Sequence, residues 1–328
     1  MADPFGSVLP SVLPEPIAGE AYAPSNIALS KYWGKRDDAL NLPLNSSLSI
    51  SLGAWGTHTR VSPSDADLVV FNGAELSLDD PFAAKVLRFV ERFRRGQDLP
   101  LQIETRNSIP TAAGLASSAS GFAALTMALA AAFKLELSKS TLSMLARFGS
   151  GSATRSLWHG FVHWDRGERD DGSDSRAAPL DVSWPEFRIA IVPVDTGPKS
   201  QSSRQGMGHT SATSPLFAAW PGQAEADCAA IEAAIHARDF QALGSRAEAN
   251  ALAMHATMLA ARPALIYLKA ESWAVLETLR HARDEGLMAF ATMDAGANVK
   301  LIFESNSQDD VRTTFPSAEI IEPFAHSS

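Results

Sequence analysis

The chain has 328 residues, of which 45% are hydrophobic and 20% charged, and its net charge is −9. This length suits one large domain or two intimately joined ones with an ample core. The acidic balance argues against nucleic-acid binding through the overall field, so any polyanionic ligand needs a local basic cluster. The one cysteine, Cys228, excludes an internal disulfide and points to a cytoplasmic setting.

Residues 1–19 are Pro-rich and lack a basic leader, so they are expected to form a flexible arm and not a signal peptide. The sheet-forming part starts near Glu20. Residues 48–52 and 68–71 read as strands, and Asn72-Gly73 as a tight hairpin turn. Residues 81–94 place Phe82, Val86, Phe89, Val90 and Phe93 on one helical side. A half-buried strand over 101–106 leads into residues 110–119, Pro-Thr-Ala-Ala-Gly-Leu-Ala-Ser-Ser-Ala, and then a helix with Phe122, Leu125, Leu129 and Phe133 on one face. No uncharged apolar run here or elsewhere reaches the roughly 18–20 residues of a membrane span.

A second helix is expected over 138–148, capped by Ser138 or Ser140, and a strand over 161–164. Residues 165–179 read as an exposed loop and 187–194 as a buried strand. Residues 196–215, rich in Ser, Gly and Thr with little periodicity, read as an irregular functional segment. Residues 223–281 are mostly helical. Two strands, 290–293 and 299–303, flank Asp294-Ala-Gly-Ala-Asn298. Strands interspersed with helices indicate an α+β protein. The expected division is 20–185 for an N-terminal lobe and 186–328 for a C-terminal one.

Five segments carry candidate chemistry. Residues 110–119 place small side chains and the Ser117 and Ser118 hydroxyls at a helix N-terminus, a phosphate cradle or an ordinary strand-to-helix turn. Residues 26–36 offer Lys31, Tyr32 and Lys35 to a small polyanion, or a solvated basic face. Residues 149–155, Gly-Ser-Gly-Ser-Ala-Thr-Arg, bring Ser150, Ser152 and Arg155 together, either for an anion or as a helix cap with an ion pair. Residues 199–204 add Lys199, Ser203 and Arg204. Asp294, at a strand end beside Gly296, is a general-base candidate or a turn-former. His255 has no second His at metal-ligand spacing and reads as structural.

In order and content these segments resemble the small-molecule kinase superfamily named for galactokinase, homoserine kinase, mevalonate kinase and phosphomevalonate kinase. Lys31-Tyr-Trp-Gly-Lys35 and Gly149-Ser-Gly-Ser152, with Ser203-Arg-Gln-Gly-Met207, His255-Ala-Thr257 and residues 293–298, narrow the resemblance to the diphosphomevalonate decarboxylase family. It covers about residues 20–305. The resemblance implies a two-lobed kinase fold with its active site in the cleft, and phosphorylation of a tertiary alcohol by ATP followed by loss of phosphate and CO2. It implies Asp294 as the base, with Arg155, Ser203 and Lys31 beside it in catalysis. Tyr32, Lys35, Ser150, Ser152, Arg155 and Arg204 would hold mevalonate 5-diphosphate. Ala113, Gly114, Leu115, Ser117, Ser118 and Lys199 would hold ATP, with Mg2+ on its phosphates and Ser117 as metal ligand. A homodimer is implied as well; from the charge and the apolar runs, neither nucleic acid nor membrane is expected as a partner. Ser30 and Ala297 depart from the family pattern, which leaves open a related decarboxylase or kinase acting on mevalonate, its monophosphate or its bisphosphate.

Overall fold

The computed structural model describes residues 4–109, 117–195, 197 and 201–325. Its N-terminal half is built on β1 (Gly19–Ser30), β2 (Lys35–Asp37), β3 (Leu42–Pro43), β4 (Ser47–Pro63), β5 (Leu68–Phe71), β6 (Ala74–Leu76), α1 (Pro81–Arg94) and β7 (Leu101–Asn107). These are followed by α2 (Ser118–Ala132), α3 (Lys139–Ala146), a 3-10 turn (Gly151–Arg155), β8 (Phe161–Trp164) and β9 (Ala177–Pro179). The seventeen-residue β4 organises the large sheet, whose order is β6-β5-β7-β4-β8-β9 with β1 also on β4. Its first residues pair with β8 and its last with β7, while β1 runs antiparallel along it.

The C-terminal half contains β10 (Phe187–Val192), α4 (Ser203–Thr213), α5 (Trp220–Ala237), α6 (Phe240–Leu259), α7 (Ala270–Asp284), β11 (Ala289–Met293), β12 (Val299–Glu304), α8 (Gln308–Thr314) and β13 (Glu319–Ile321). Its sheet has the order β11-β12-β10-β13, all antiparallel. The expected α+β class is the one observed.

Local chemistry accounts for the boundaries. The Asp80 carboxylate accepts from the Phe82 and Ala83 N–H groups, and Pro81 occupies the first turn, where a missing N–H costs nothing. At the end of β5, Asn72 and Gly73 both take positive φ, 50° and 85°, which a tight hairpin turn requires. Ser138 caps α3 through the Thr141 N–H.

Two apolar cores result. One packs α1, α2 and α3 onto Val61, Val69, Leu101 and Ile103 of the large sheet. The other joins Ile27, Leu48 and Ile50 of the large sheet to Ile189 and Leu301 of the small one, with α5 and α6. The flexible arm expected over 1–19 is not what residues 4–18 form. Phe5, Leu9 and Leu13 are buried in the first core, and the Phe5 ring sits edge-on to Phe93 at 5.3 Å and Phe148 at 5.2 Å. Three apolar anchors among the prolines outweigh the entropy of ordering this segment.

The irregular segment expected over 196–215 is also corrected, because α4 occupies most of it. Its two glycines and several Ser and Thr residues lower helix propensity. The Ser202 hydroxyl and the Gln205 amide form a reciprocal capping box that offsets this. Part of the loop expected over 165–179 is ordered too, since β9 pairs with β8 and Gly172 and Ser175 are buried. No helix among the described residues is long and apolar enough to cross a membrane.

Candidate active site

A cleft of about 620 Å³ is lined from both halves of the chain. From the first half come the end of β1, the start of α2 and the 3-10 turn. From the second come the start of α4 and the β11–β12 connection.

The cleft floor is the connection of residues 294–298. Met293 and Val299 close the antiparallel pair, so Asp294 is the first residue free of the ladder. The connection is pinned from three sides. His255 of α6 donates from Nε2 to the Asp294 carbonyl at 3.1 Å, Ser272 of α7 donates to the Ala297 carbonyl at 2.6 Å, and Asn298 Oδ1 accepts from the Val194 and Asp195 N–H groups. Burial pushes the His255 imidazole down to about 4, so it is neutral at pH 7 and can serve as this donor. Because position 297 contributes its carbonyl to this clamp, the clamp itself does not depend on that residue's side chain.

The Asp294 side chain remains 36% exposed to the cleft, and each of its oxygens has an ammonium partner. Lys31 Nζ lies 2.8 Å from Oδ1 and Lys300 Nζ lies 3.2 Å from Oδ2. Burial alone would raise this carboxyl. The charges of Lys300 and Lys31 outweigh burial and hold it far below the usual carboxylate range. Lys31 is itself driven down to about 8 by burial, against the pull of Asp294.

Lys31 does not serve as an open cation for a phosphate, as a basic cluster would require. Its side chain is 2% exposed, and its ammonium is taken up by Asp294 and the Ala28 carbonyl at 2.8 Å. Its main chain is held by Asn250 Oδ1 and Asn45 Nδ2, each at 2.8 Å. Sequence reasoning missed Lys300. The available signal was a lone lysine inside the apolar strand Val299-Lys-Leu-Ile-Phe303, which is buried throughout.

The rest of the lining suits an anion. Arg155 is buried at the end of the 3-10 turn. Its Nη1 donates to Ser47 Oγ at 2.5 Å and its guanidinium lies over the Trp164 ring at 5.7 Å. Burial lowers it to about 10, where it is still charged at pH 7. Its Nε and the Tyr32 hydroxyl are buried and have no hydrogen-bond partner among the described residues. Gly151 lets the turn approach the Tyr32 ring, because a Cβ there would lie 2.6 Å from Cε1. Ser150 and Ser152 Oγ are 3.1 Å apart, and Ser118 Oγ is 3.5 Å from Ser150 Oγ.

Lys35 reaches Asp38 at 3.1 Å and lies below its ordinary value through burial and the Arg204 charge. Ser203 and Arg204, in the first turn of α4, face the cleft. Lys85 of α1 lines it as well, a second cation that sequence reasoning missed. Ser117 is the N-cap of α2 with no side-chain capping bond, so its hydroxyl is not used by the helix. Ala113, Gly114, Leu115 and Lys199 lie outside the described residues.

An ionised carboxylate and buried guanidinium and hydroxyl groups thus line one cleft between the two halves of an α+β chain, an arrangement consistent with the two-lobed small-molecule kinase fold that the sequence resembles. Two family comparisons cover the chain. The diphosphomevalonate decarboxylase-like N-terminal domain matches residues 23–177, and the mevalonate 5-diphosphate decarboxylase C-terminal domain matches residues 189–324. The diphosphomevalonate decarboxylase of Candida albicans is 38% identical over 88% of this chain and 85% of its own.

Among solved structures, mevalonate diphosphate decarboxylase from Staphylococcus aureus superposes with a TM-score of 0.88 at 36% identity, covering 93% of this chain and 95% of that one. MDDEF, solved in complex with MVAPP, AMPPCP and magnesium, gives 0.87 at 37% identity, over 93% and 96%. The chain belongs to the diphosphomevalonate decarboxylase family.

Proposed function

We propose that the cleft converts mevalonate 5-diphosphate and ATP to isopentenyl diphosphate, ADP, phosphate and CO2. The observation that carries this reading is Asp294, an ionised carboxylate open to the same cleft as the buried Arg155 fork. A carboxylate held so low is a weak base. Phosphoryl transfer asks mainly for positioning, because its transition state is loose. Asp294 therefore orients the C3 hydroxyl and takes its proton late, as the oxygen bonds to phosphorus and ADP departs.

The C3–O bond then breaks and phosphate leaves. The electrons of the C–CO2 bond form the alkene, and CO2 is released. Arg155 holds the carboxylate in line for this step, with Ser203 beside the hydroxyl. Tyr32, Lys35, Ser150, Ser152 and Arg204 hold the diphosphate; the Tyr32 hydroxyl there, and Arg155 Nε at the carboxylate, are donors without a partner among the described residues. Ser117 and Ser118, with Ala113, Gly114, Leu115 and Lys199, hold ATP. No group of three His, Cys, Asp or Glu able to hold a metal occurs among the described residues. Mg2+ would be held with the nucleotide phosphates by the Ser117 hydroxyl. When bound, it would neutralise phosphate charge.

The boundary between lobes at 185/186, a homodimer and a cytoplasmic location belong to the same proposal. Mevalonate, its 5-phosphate and its 5-diphosphate, each incubated with ATP, test the substrate assignment. Equal ADP, phosphate and CO2 from the diphosphate alone support it. ADP without CO2 makes the protein a kinase.

A further inference from the structure

Lys300 is 3% exposed and sits one pair from the end of a buried ladder, opposite Thr292 on one side and Ile191 on the other. A lysine buried there costs stability unless its ammonium is paired. The partners are Asp294 Oδ2 at 3.2 Å and, more distantly, the Asn298 carbonyl at 3.4 Å. Lys31 already offers Asp294 a counter-charge on Oδ1. Two buried cations on one carboxylate exceed what neutralisation requires.

What the second cation adds is orientation. A carboxylate tethered at one oxygen can rotate about its Cβ–Cγ bond, whereas one tethered at both cannot. We propose that Lys300 is a positioning residue, which locks the Asp294 carboxylate against rotation for the proposed phosphorylation. The other charged or titratable groups that face Asp294 are Lys31 at the end of β1, His255 on α6, neutral at pH 7, and Arg155, whose field reaches it from the 3-10 turn. Lys300 is the cation that the β11–β12 hairpin itself contributes.

This inference rests on the proposed reaction, so its test includes a measurement without substrates. Infrared difference spectra of 13C-aspartate-labelled protein, assigned with Asp294→Asn, follow protonation of the Asp294 carboxyl. In Lys300→Met that protonation is expected to move up by about 1–3 pH units, the usual effect of one adjacent opposite charge. Its kcat should fall by about 10²-fold, the scale for a displaced reacting group, with KM for both substrates nearly unchanged.

Lys300→Arg keeps the charge and should keep the parent titration. A parent-like titration in Lys300→Met overturns the proposal even if kcat falls, because the role is then structural. If Lys300→Met does not fold, Lys300→Arg decides, and an upward move in its titration overturns the proposal. A parent enzyme without turnover overturns the reaction assignment, while the titration still judges Lys300.

Discussion

Asp294 at the cleft floor has a partner on each oxygen, at 2.8 and 3.2 Å, whereas the Tyr32 hydroxyl and Arg155 Nε elsewhere in the cleft have none among the described residues. The floor is complete before any ligand arrives. Each Asp294 oxygen has its own ammonium, and the connection is pinned by His255, Ser272 and the Asn298 side chain. The anion-facing wall keeps donors in reserve. A group that does chemistry gains from being fixed in advance. A group that binds gains from donors left unspent, because buried polar atoms without partners favour the ligand that satisfies them. Substitutions at the floor should therefore lower kcat, and substitutions at the wall should weaken binding.

The largest effect is expected at the floor. Asp294→Asn should lower kcat by about 10³-fold or more, within the range for loss of a positioned base. Asp294→Ala should also lower Tm by several degrees, because the buried Lys31 and Lys300 ammonium groups lose their counter-ion. Thermal melts check this, and an unchanged Tm would mean that the ammonium groups are not held by the carboxylate.

At the wall, Arg155→Lys should lower kcat/KM by about 10²-fold, because a lysine cannot reproduce the two-pronged contact. Near-parent kinetics would remove Arg155 from carboxylate holding. Gly151→Ala should raise KM for the diphosphate about tenfold with kcat little changed, since its Cβ would displace the Tyr32 ring. A fall in kcat instead would blur the line between the two regions.

The smallest effect is in pH dependence. Lys31 loses its proton as pH rises through about 8, so kcat/KM should decline above that value. The stability signs differ for the two partners. The Asp294 carboxyl lies below its ordinary value, so its contribution is present above the ordinary carboxylate range and is lost as pH falls beneath it. Lys31 is also lowered, so burying its charge costs stability below about pH 8, and that cost is relieved between there and its ordinary 10.5. Flat kcat/KM from pH 7 to 10 would contradict the Lys31 assignment.

Much of this molecule was legible from local pattern. The 81–94 helix is found with those boundaries because cap, proline and apolar stripe agree. The Asn72-Gly73 hairpin needed two residues only. The ion pair of Lys31 with Asp294 joins positions 263 apart, and no short-range pattern encodes that. For the same reason, Lys31 reads as a phosphate ligand in sequence and as a carboxylate partner in space. The packing of Phe5 was hidden by the prolines around it, and α4 by its poor propensity, although Ser202 and Gln205 at capping-box spacing were there to be read.

The most direct test of a fixed chemical floor and a separate binding wall is titration of Asp294→Asn with mevalonate 5-diphosphate, read by calorimetry. The account predicts a Kd within about threefold of the parent protein, since no wall donor is removed. Binding weakened by about 10²-fold or more, some 3 kcal/mol, would contradict it by making Asp294 a binding group first.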